Sequence, residues 1–249
     1  MTAAAGSLDL SRPFVIGFGI TGQAVAAALL ARGHRPVVLD DGPTESQRTR
    51  ALELGVDFRS GGGDVEDWVH RVADASVVLP SPGIPASHPV FVAADVIGVP
   101  IRSEFDLAEA WDQRPHVAIT GTNGKTTVTL LVTEALERSG VHAAAVGNTE
   151  VPLVAALDDP RLEVFVVECS SFRLAHTGSF SPAIAAWLNF APDHLDAHAD
   201  LDEYEAAKAS IWRSAGSGGT IVVANADDPV VMSHVPPDVD PVLFGLADA

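Results

Sequence analysis

Basic residues are scarce in this chain, lysine above all, and cysteine is scarcer still. Fifteen Lys and Arg stand against 33 Asp and Glu among 249 residues, a formal net charge of −18. That shortage argues against a general nucleic-acid or anionic-membrane binder, whose affinity comes from a basic face. One cysteine, Cys169, rules out an intramolecular disulfide framework and fits a reducing compartment. No apolar run approaches the roughly 18 residues that a membrane span needs, and the first thirteen residues carry no signal-peptide pattern. A soluble cytoplasmic protein is expected. Of the basic residues 13 are arginine, and only Lys125 and Lys208 are lysine. Lysine surviving in such a chain points to its amine chemistry, which arginine cannot replace, unless the two are leftovers.

What is present is ordinary for a globular protein: 47% hydrophobic and 19% charged residues, enough for one large domain or two ordinary ones. The first hundred residues alternate strand-like and helix-like segments. Phe14-Val15-Ile16 reads as a strand, Gln23 to Ala31 as a helix stopped by Gly33, Pro36 to Asp40 as a strand, and Val77-Val78-Leu79 as another. A helix is predicted over Glu104 to Trp111, and Gln113-Arg114-Pro115 reads as a junction. The same grammar then restarts. His116 to Thr120 is a strand, Thr126 to Ser139 a helix, and Leu162 to Val167 a buried strand with Glu168 at its end. Further strands are expected at Ala183 to Asn189, Thr220 to Ala224 and Val242 to Phe244, with a helix over Leu201 to Trp212. Strands alternating with helices imply α/β folds with parallel sheets. The expected division is 1–113, a Rossmann-like parallel-sheet domain, and 114–249, a P-loop-type α/β ATPase domain.

Gly17, Gly19 and Gly22 satisfy G-x-G-x-x-G between a strand and a helix, and Asp40 ends the next strand. Such a turn lets backbone approach a phosphate at the positive end of a helix. The pattern fits a dinucleotide, hence an NAD(P) oxidoreductase; it equally fits a nucleotide-sugar diphosphate, or close strand–helix packing with no ligand.

A second loop, Gly121-Thr122-Asn123-Gly124-Lys125-Thr126-Thr127, follows a buried strand and opens a helix. Its amides can wrap phosphate oxygens, Lys125 can reach the β and γ phosphates, and the Thr126 hydroxyl can ligate Mg²⁺. Ile119 stands where the general P-loop pattern has its first glycine. Glu168 ends a strand at the edge where open α/β sheets bind ligands, so it is either a metal ligand or a solvated strand-end acid. Hydride transfer needs neither a phosphate loop nor that acid, which counts against the oxidoreductase.

The second loop resembles the ATP loop of Mur ligases and folylpolyglutamate synthases, and Val167-Glu-Cys-Ser-Ser-Phe-Arg-Leu174 resembles the Glu-x-Ser-Ser-Phe-Gln-Leu stretch of the D-glutamate-adding Mur ligases. Ser81-Pro-Gly-Ile84, Gly147-Asn148, Asp193-His194 with Asp196, Ala206-Ala-Lys208 and Asn225-Ala-Asp-Asp228 follow in that family's order. Arg173 departs from the usual Gln. The family's C-terminal domain finds no counterpart here, so a fragment is expected, its central sheet ending early.

The resemblance implies an ATP-dependent ligase joining D-glutamate to UDP-MurNAc-L-Ala by way of an acyl phosphate, with small-molecule partners, no nucleic acid and a monomeric state. It assigns ATP to Gly121 through Thr127, and Mg²⁺ to Thr126 and Glu168. A second metal falls to His194 and to Lys208, the latter as a carbamate; Lys125, His194 and Lys208 are the catalytic candidates. Without the resemblance His194 reads as a solvated loop histidine, Lys208 as a surface lysine, and Asn225-Ala-Asp-Asp228 as a turn. Asn148 falls near the carboxylate that forms the acyl phosphate, and Ser170 and Ser171 fall to the substrate channel. Gly19, Ile20 and Thr21 fall to the diphosphate, with Asp40, Asp41, Ser81 and Gly83 on the uridine and ribose side. His88, His142, His176 and His198 are left as structural or surface residues. Another Mur ligase specificity, or a noncatalytic UDP-sugar- or ATP-binding module, are the alternatives.

Overall fold

The structure, a computed structural model, describes residues 8–193, 200–216 and 219–246. It divides into two units, one of residues 1–110 with 176–178 and one of residues 111–175 with 179–249. In the first, β1 (Pro13–Ile16), β2 (Val37–Asp40), β3 (Asp57–Ser60) and β4 (Val77–Pro80) form a parallel sheet in the order β3-β2-β1-β4. β1 is buried along its whole length, as a central parallel strand covered on both faces must be. Helices α1 (Ile20–Ala31), α2 (Glu45–Leu54), α3 (Val65–Val72), α4 (Pro89–Ile97) and α5 (Glu104–Trp111) complete the succession of elements up to the second unit. Capping boxes at Thr44–Gln47 and Asp64–Asp67 start α2 and α3 by pairing their first free amides. Phe14, Ile16, Leu39, Trp68, Val78 and Val90 make the core beneath α3 and α4.

The second unit is a six-stranded parallel sheet in the order β10-β9-β8-β5-β7-β6. Its strands are β5 (His116–Thr120), β6 (Ala143–Gly147), β7 (Val164–Glu168), β8 (Ile184–Trp187), β9 (Ile221–Asn225) and β10 (Val242–Phe244). Between them run α6 (Lys125–Arg138), α7 (Leu153–Ala156), α8 (Ser171–Ala175), α9 (Leu201–Ala209) and α10 (Pro229–Ser233). Chain order reverses beside β5, which opens a crevice beyond the carboxyl ends of β5, β7 and β8. The helix expected over Leu201 to Trp212 is α-helical only to Ala209; Ser210–Trp212 tightens to a 3₁₀ turn. Arg114 is tied into the second unit. It pairs with Asp112 and donates to the carbonyls of Leu157, Asp159 and Leu162.

Candidate active site

β5 carries the chain out of the sheet into the second glycine loop. Its Ile119 lies level with Glu168 of β7 and Ala186 of β8. Gly124 turns into α6 with φ +82°, a left-handed conformation that favours glycine, and offers no side-chain cap, so the amides of the first helical turn have no side-chain partner there. Asn189, just beyond β8, clamps the loop. Its Oδ1 accepts from the amides of Thr122 (3.1 Å) and Asn123 (2.9 Å), and its Nδ2 donates to the Asn123 carbonyl (3.0 Å).

Both lysines of the chain converge on one oxygen. The Gly121 carbonyl accepts from Lys125 Nζ at 2.9 Å and from Lys208 Nζ at 2.8 Å; Lys125 also donates to the Thr122 carbonyl at 2.9 Å. Lys208 is not a surface lysine: only 1% of it is exposed, because α9 turns it inward over the Tyr204 ring, 4.5 Å from the centroid. Burial, helped by the charge of Lys125 and opposed by Asp193, brings the Lys208 pKa down to about 7. Burial also lowers the pKa of Lys125, against the opposing pull of Glu168 and Asp193. Tyr204 ties this corner to the loop through a hydroxyl 3.3 Å from Thr122 Oγ1.

Glu168 is buried at the end of β7, not solvated. Its Oε1 accepts from Asn148 Nδ2 at 3.1 Å, and its buried Oε2 has no hydrogen-bond partner among the described residues. A buried carboxylate oxygen left open beside a phosphate-type loop suits a hard cation, and Thr126 stands exposed in the first turn of α6. Among the described residues no cluster of three or more His, Cys, Asp and Glu could hold a metal alone, so a cation here would need a hydroxyl or the nucleotide as well. Gly147 makes the approach of Asn148 possible: with φ +96°, a Cβ there would lie 2.5 Å from the Glu168 carbonyl oxygen.

Ser170 and Ser171 are buried at the start of α8, with Ser170 Oγ accepting from the Arg173 amide at 3.4 Å. Arg173 is buried too, which lowers its pKa to about 10. Asp228 caps α10 and accepts from the Phe190 amide at 2.7 Å, so Asn225-Ala-Asp-Asp228 is a turn that fastens the segment after β8. His194, with Asp196 and His198, lies outside the described residues.

In the first unit Gly17, with φ +84°, and Gly22 allow the turn itself: a Cβ on Gly22 would sit 2.0 Å from the Gly17 carbonyl oxygen. Gly19 caps α1 with nothing within 4 Å of its Cβ direction, and Ile20 after it is exposed. Thr21 is half-buried in the same turn. Ser81 is buried and donates to the Gly17 carbonyl at 2.8 Å, while Gly83 is exposed. Asp40 accepts from the Phe18 amide at 2.8 Å, and Asp41 pairs with His88 at 2.8 Å.

Residues 11–103 match the Mur ligase MurD-like N-terminal domain, and residues 119–248 match the Mur ligase middle domain. The chain belongs to the Mur ligase family. It is 40% identical over 219 residues to the UDP-N-acetylmuramoylalanine–D-glutamate ligase of Frankia casuarinae, covering 86% of this chain and 45% of that protein. With the same-named ligase of Mycolicibacterium vanbaalenii the identity is 37%, over 93% of this chain and 47% of the relative. The chain therefore spans about half the length of the curated relatives it matches. The fold also matches the UDP-N-acetylmuramate:L-alanyl-gamma-D-glutamyl-meso-diaminopimelate ligase from Neisseria meningitides, with a TM-score of 0.61, 20% identity, and coverage of 95% of this chain and 78% of that one. Mur ligase membership joins the two loops in one protein, yet two residues that shape its candidate sites were passed over in sequence and a third was set aside. Asn189 was legible only as the end of a strand, and Tyr204 only as the chain's single tyrosine. His88, left as a structural or surface residue, is buried, and its partner Asp41 lies 47 positions away in sequence.

Proposed function

We propose that this chain is part of a cytoplasmic, ATP-dependent ligase that adds D-glutamate to UDP-N-acetylmuramoyl-L-alanine in peptidoglycan precursor synthesis. The observation that carries the reading is the cluster around the Gly121 loop, where two lysines share one carbonyl beside a buried carboxylate with an open oxygen. The names of the relatives support the choice of substrate. In this reading the loop amides and Lys125 hold the ATP phosphates, and the L-alanine carboxylate attacks the γ phosphorus, releasing ADP and leaving an acyl phosphate. The D-glutamate amine then displaces phosphate to form the amide. Thr126 and Glu168 would hold Mg²⁺, which would supply charge to offset the repulsion between the carboxylate and the polyphosphate. Asn148, fixed on Glu168, and the buried Ser170 and Ser171 lie on the substrate side. The lowered pKa of Lys208 keeps a neutral amine fraction near pH 7, the form that can react with CO₂, and supports its role as a carbamate ligand of a second metal together with His194. In the first unit the Gly19 to Thr21 turn meets the diphosphate of the UDP substrate.

ADP release by the whole gene product is expected to require both UDP-MurNAc-L-Ala and D-glutamate. Release driven equally well by L-lysine or meso-diaminopimelate would refute the assignment.

A further inference from the structure

We infer that His88 is a positioning residue that holds Asp41 as a fixed hydrogen-bond acceptor on the ligand edge of the first unit. The inference rests on the reading of that edge as a uridine diphosphate site. Asp40 ends β2 and Asp41 follows it, and the fold gives the two different work. Both Asp40 oxygens are taken by the chain itself: Oδ2 accepts from the Phe18 amide at 2.8 Å and Gln47 Nε2 at 3.3 Å, and Oδ1 from the Gly42 amide at 3.1 Å. Asp40 therefore fastens the glycine turn to the end of β2. Asp41 has one oxygen pinned, Oδ2, by His88 Nε2 at 2.8 Å. Its Oδ1 accepts no hydrogen bond among the described residues, and the side chain is 43% exposed.

His88 can aim that carboxylate because nothing about His88 is free to move. It is 8% exposed, packs edge-on against Trp68 with centroids 4.8 Å apart, and caps α4 by accepting the Val90 amide on Nδ1 at 3.1 Å. A neutral imidazole carries one proton. Since Nδ1 is spent as an acceptor, the proton sits on Nε2 and is donated to Asp41. The α4 cap thus fixes the tautomer, and the tautomer fixes the carboxylate. An ionised carboxylate only accepts, so the ligand must present a donor there, either a base ring N–H or a ribose hydroxyl.

Two substitutions separate the cap from the reach. His88→Asn keeps an acceptor for the Val90 amide but cannot reach Asp41; His88→Gln keeps a donor near the Nε2 position and loses the cap. Calorimetry with UDP on the full chain is expected to show about a tenfold weaker Kd for H88N, with a Tm no lower than that of H88Q because the α4 cap is kept. H88Q is expected to bind within about threefold of wild type despite a lower Tm, and H88N is expected to add no loss to D41N. Affinity that follows Tm across both variants would overturn the positioning role. With N3-methyl-UDP and with 2′,3′-dideoxy-UDP, loss of the H88N effect identifies the donor as the ring N–H or the ribose hydroxyls; an undiminished effect with both overturns the acceptor role. If wild type fails to bind UDP at all, the uridine reading falls and this inference with it, an outcome distinct from wild-type binding that H88N leaves untouched.

Discussion

At the scale of single residues, burial rather than sequence neighbours sets the chemistry. Lys208 has alanines and a serine beside it in sequence, yet its amine sits against a backbone carbonyl in the second unit's interior. His116 shows the same effect in a group that nothing in the mechanism uses. It is buried at the start of β5, stacked on Phe165 and edge-on to Phe180, and its Nε2 has no partner among the described residues. Burial lowers its pKa from 6.5 to about 4. The unfolded chain therefore binds a proton between those values that the folded one refuses. Stability from this site is whole above pH 6.5 and falls as pH drops toward 4, by a total on the order of 3 kcal/mol. His116→Phe, which keeps the ring packing and removes the titration, should flatten the decline in urea midpoint between pH 7 and pH 5. A slope equal to that of wild type would show that the site contributes nothing.

At the scale of elements, strands that the second loop does not belong to decide its shape. The loop's glycines and lysine were legible because glycine, lysine and threonine between a strand and a helix have few other uses. Asn189 was not, since a lone Asn after an apolar strand gains meaning only when β8 is laid beside β5. Asn189→Ala removes three hydrogen bonds from the loop. It should weaken ATP binding by about tenfold or more while costing about 1–3 kcal/mol of stability, read by calorimetry and denaturant titration. ATP affinity equal to wild type would show that the loop holds its form without the clamp. The strands missed in sequence have a similar cause. β3 is an edge strand reading Asp-Phe-Arg-Ser with mostly exposed side chains, and β6 is a run of small alanines ending in Val-Gly; neither announces itself by hydrophobicity.

At the scale of the whole molecule, two α/β units each carry one glycine loop, and the loops should answer to different ligands. Gly22→Ala forces a Cβ to within 2.0 Å of the Gly17 carbonyl, so the first turn must open. UDP-MurNAc-L-Ala binding is expected to fall at least tenfold in that variant, with ATP binding within about twofold of wild type. Gly124→Val, at a left-handed φ, should do the reverse. Calorimetry with each ligand on each variant checks the assignment, and a crossed pattern would mean that the loops serve the opposite ligands.

The sequence by itself determined the parallel α/β architecture, the two glycine turns and the presence of Glu168 at a strand end, because period, glycine spacing and buried apolar runs are local signals. It also singled out two lysines in a chain whose other 13 Lys and Arg positions are all arginine. Only the tertiary structure decided that both lysines meet at the Gly121 carbonyl, that Glu168 keeps an open oxygen, and that Asp40 faces its own backbone while Asp41 is held by His88. Apart from that of Lys125 with its own loop, those contacts join residues 22 to 87 positions apart. What fixes them is which strands lie side by side and which groups lose their water, and neither is written in any one stretch of the chain.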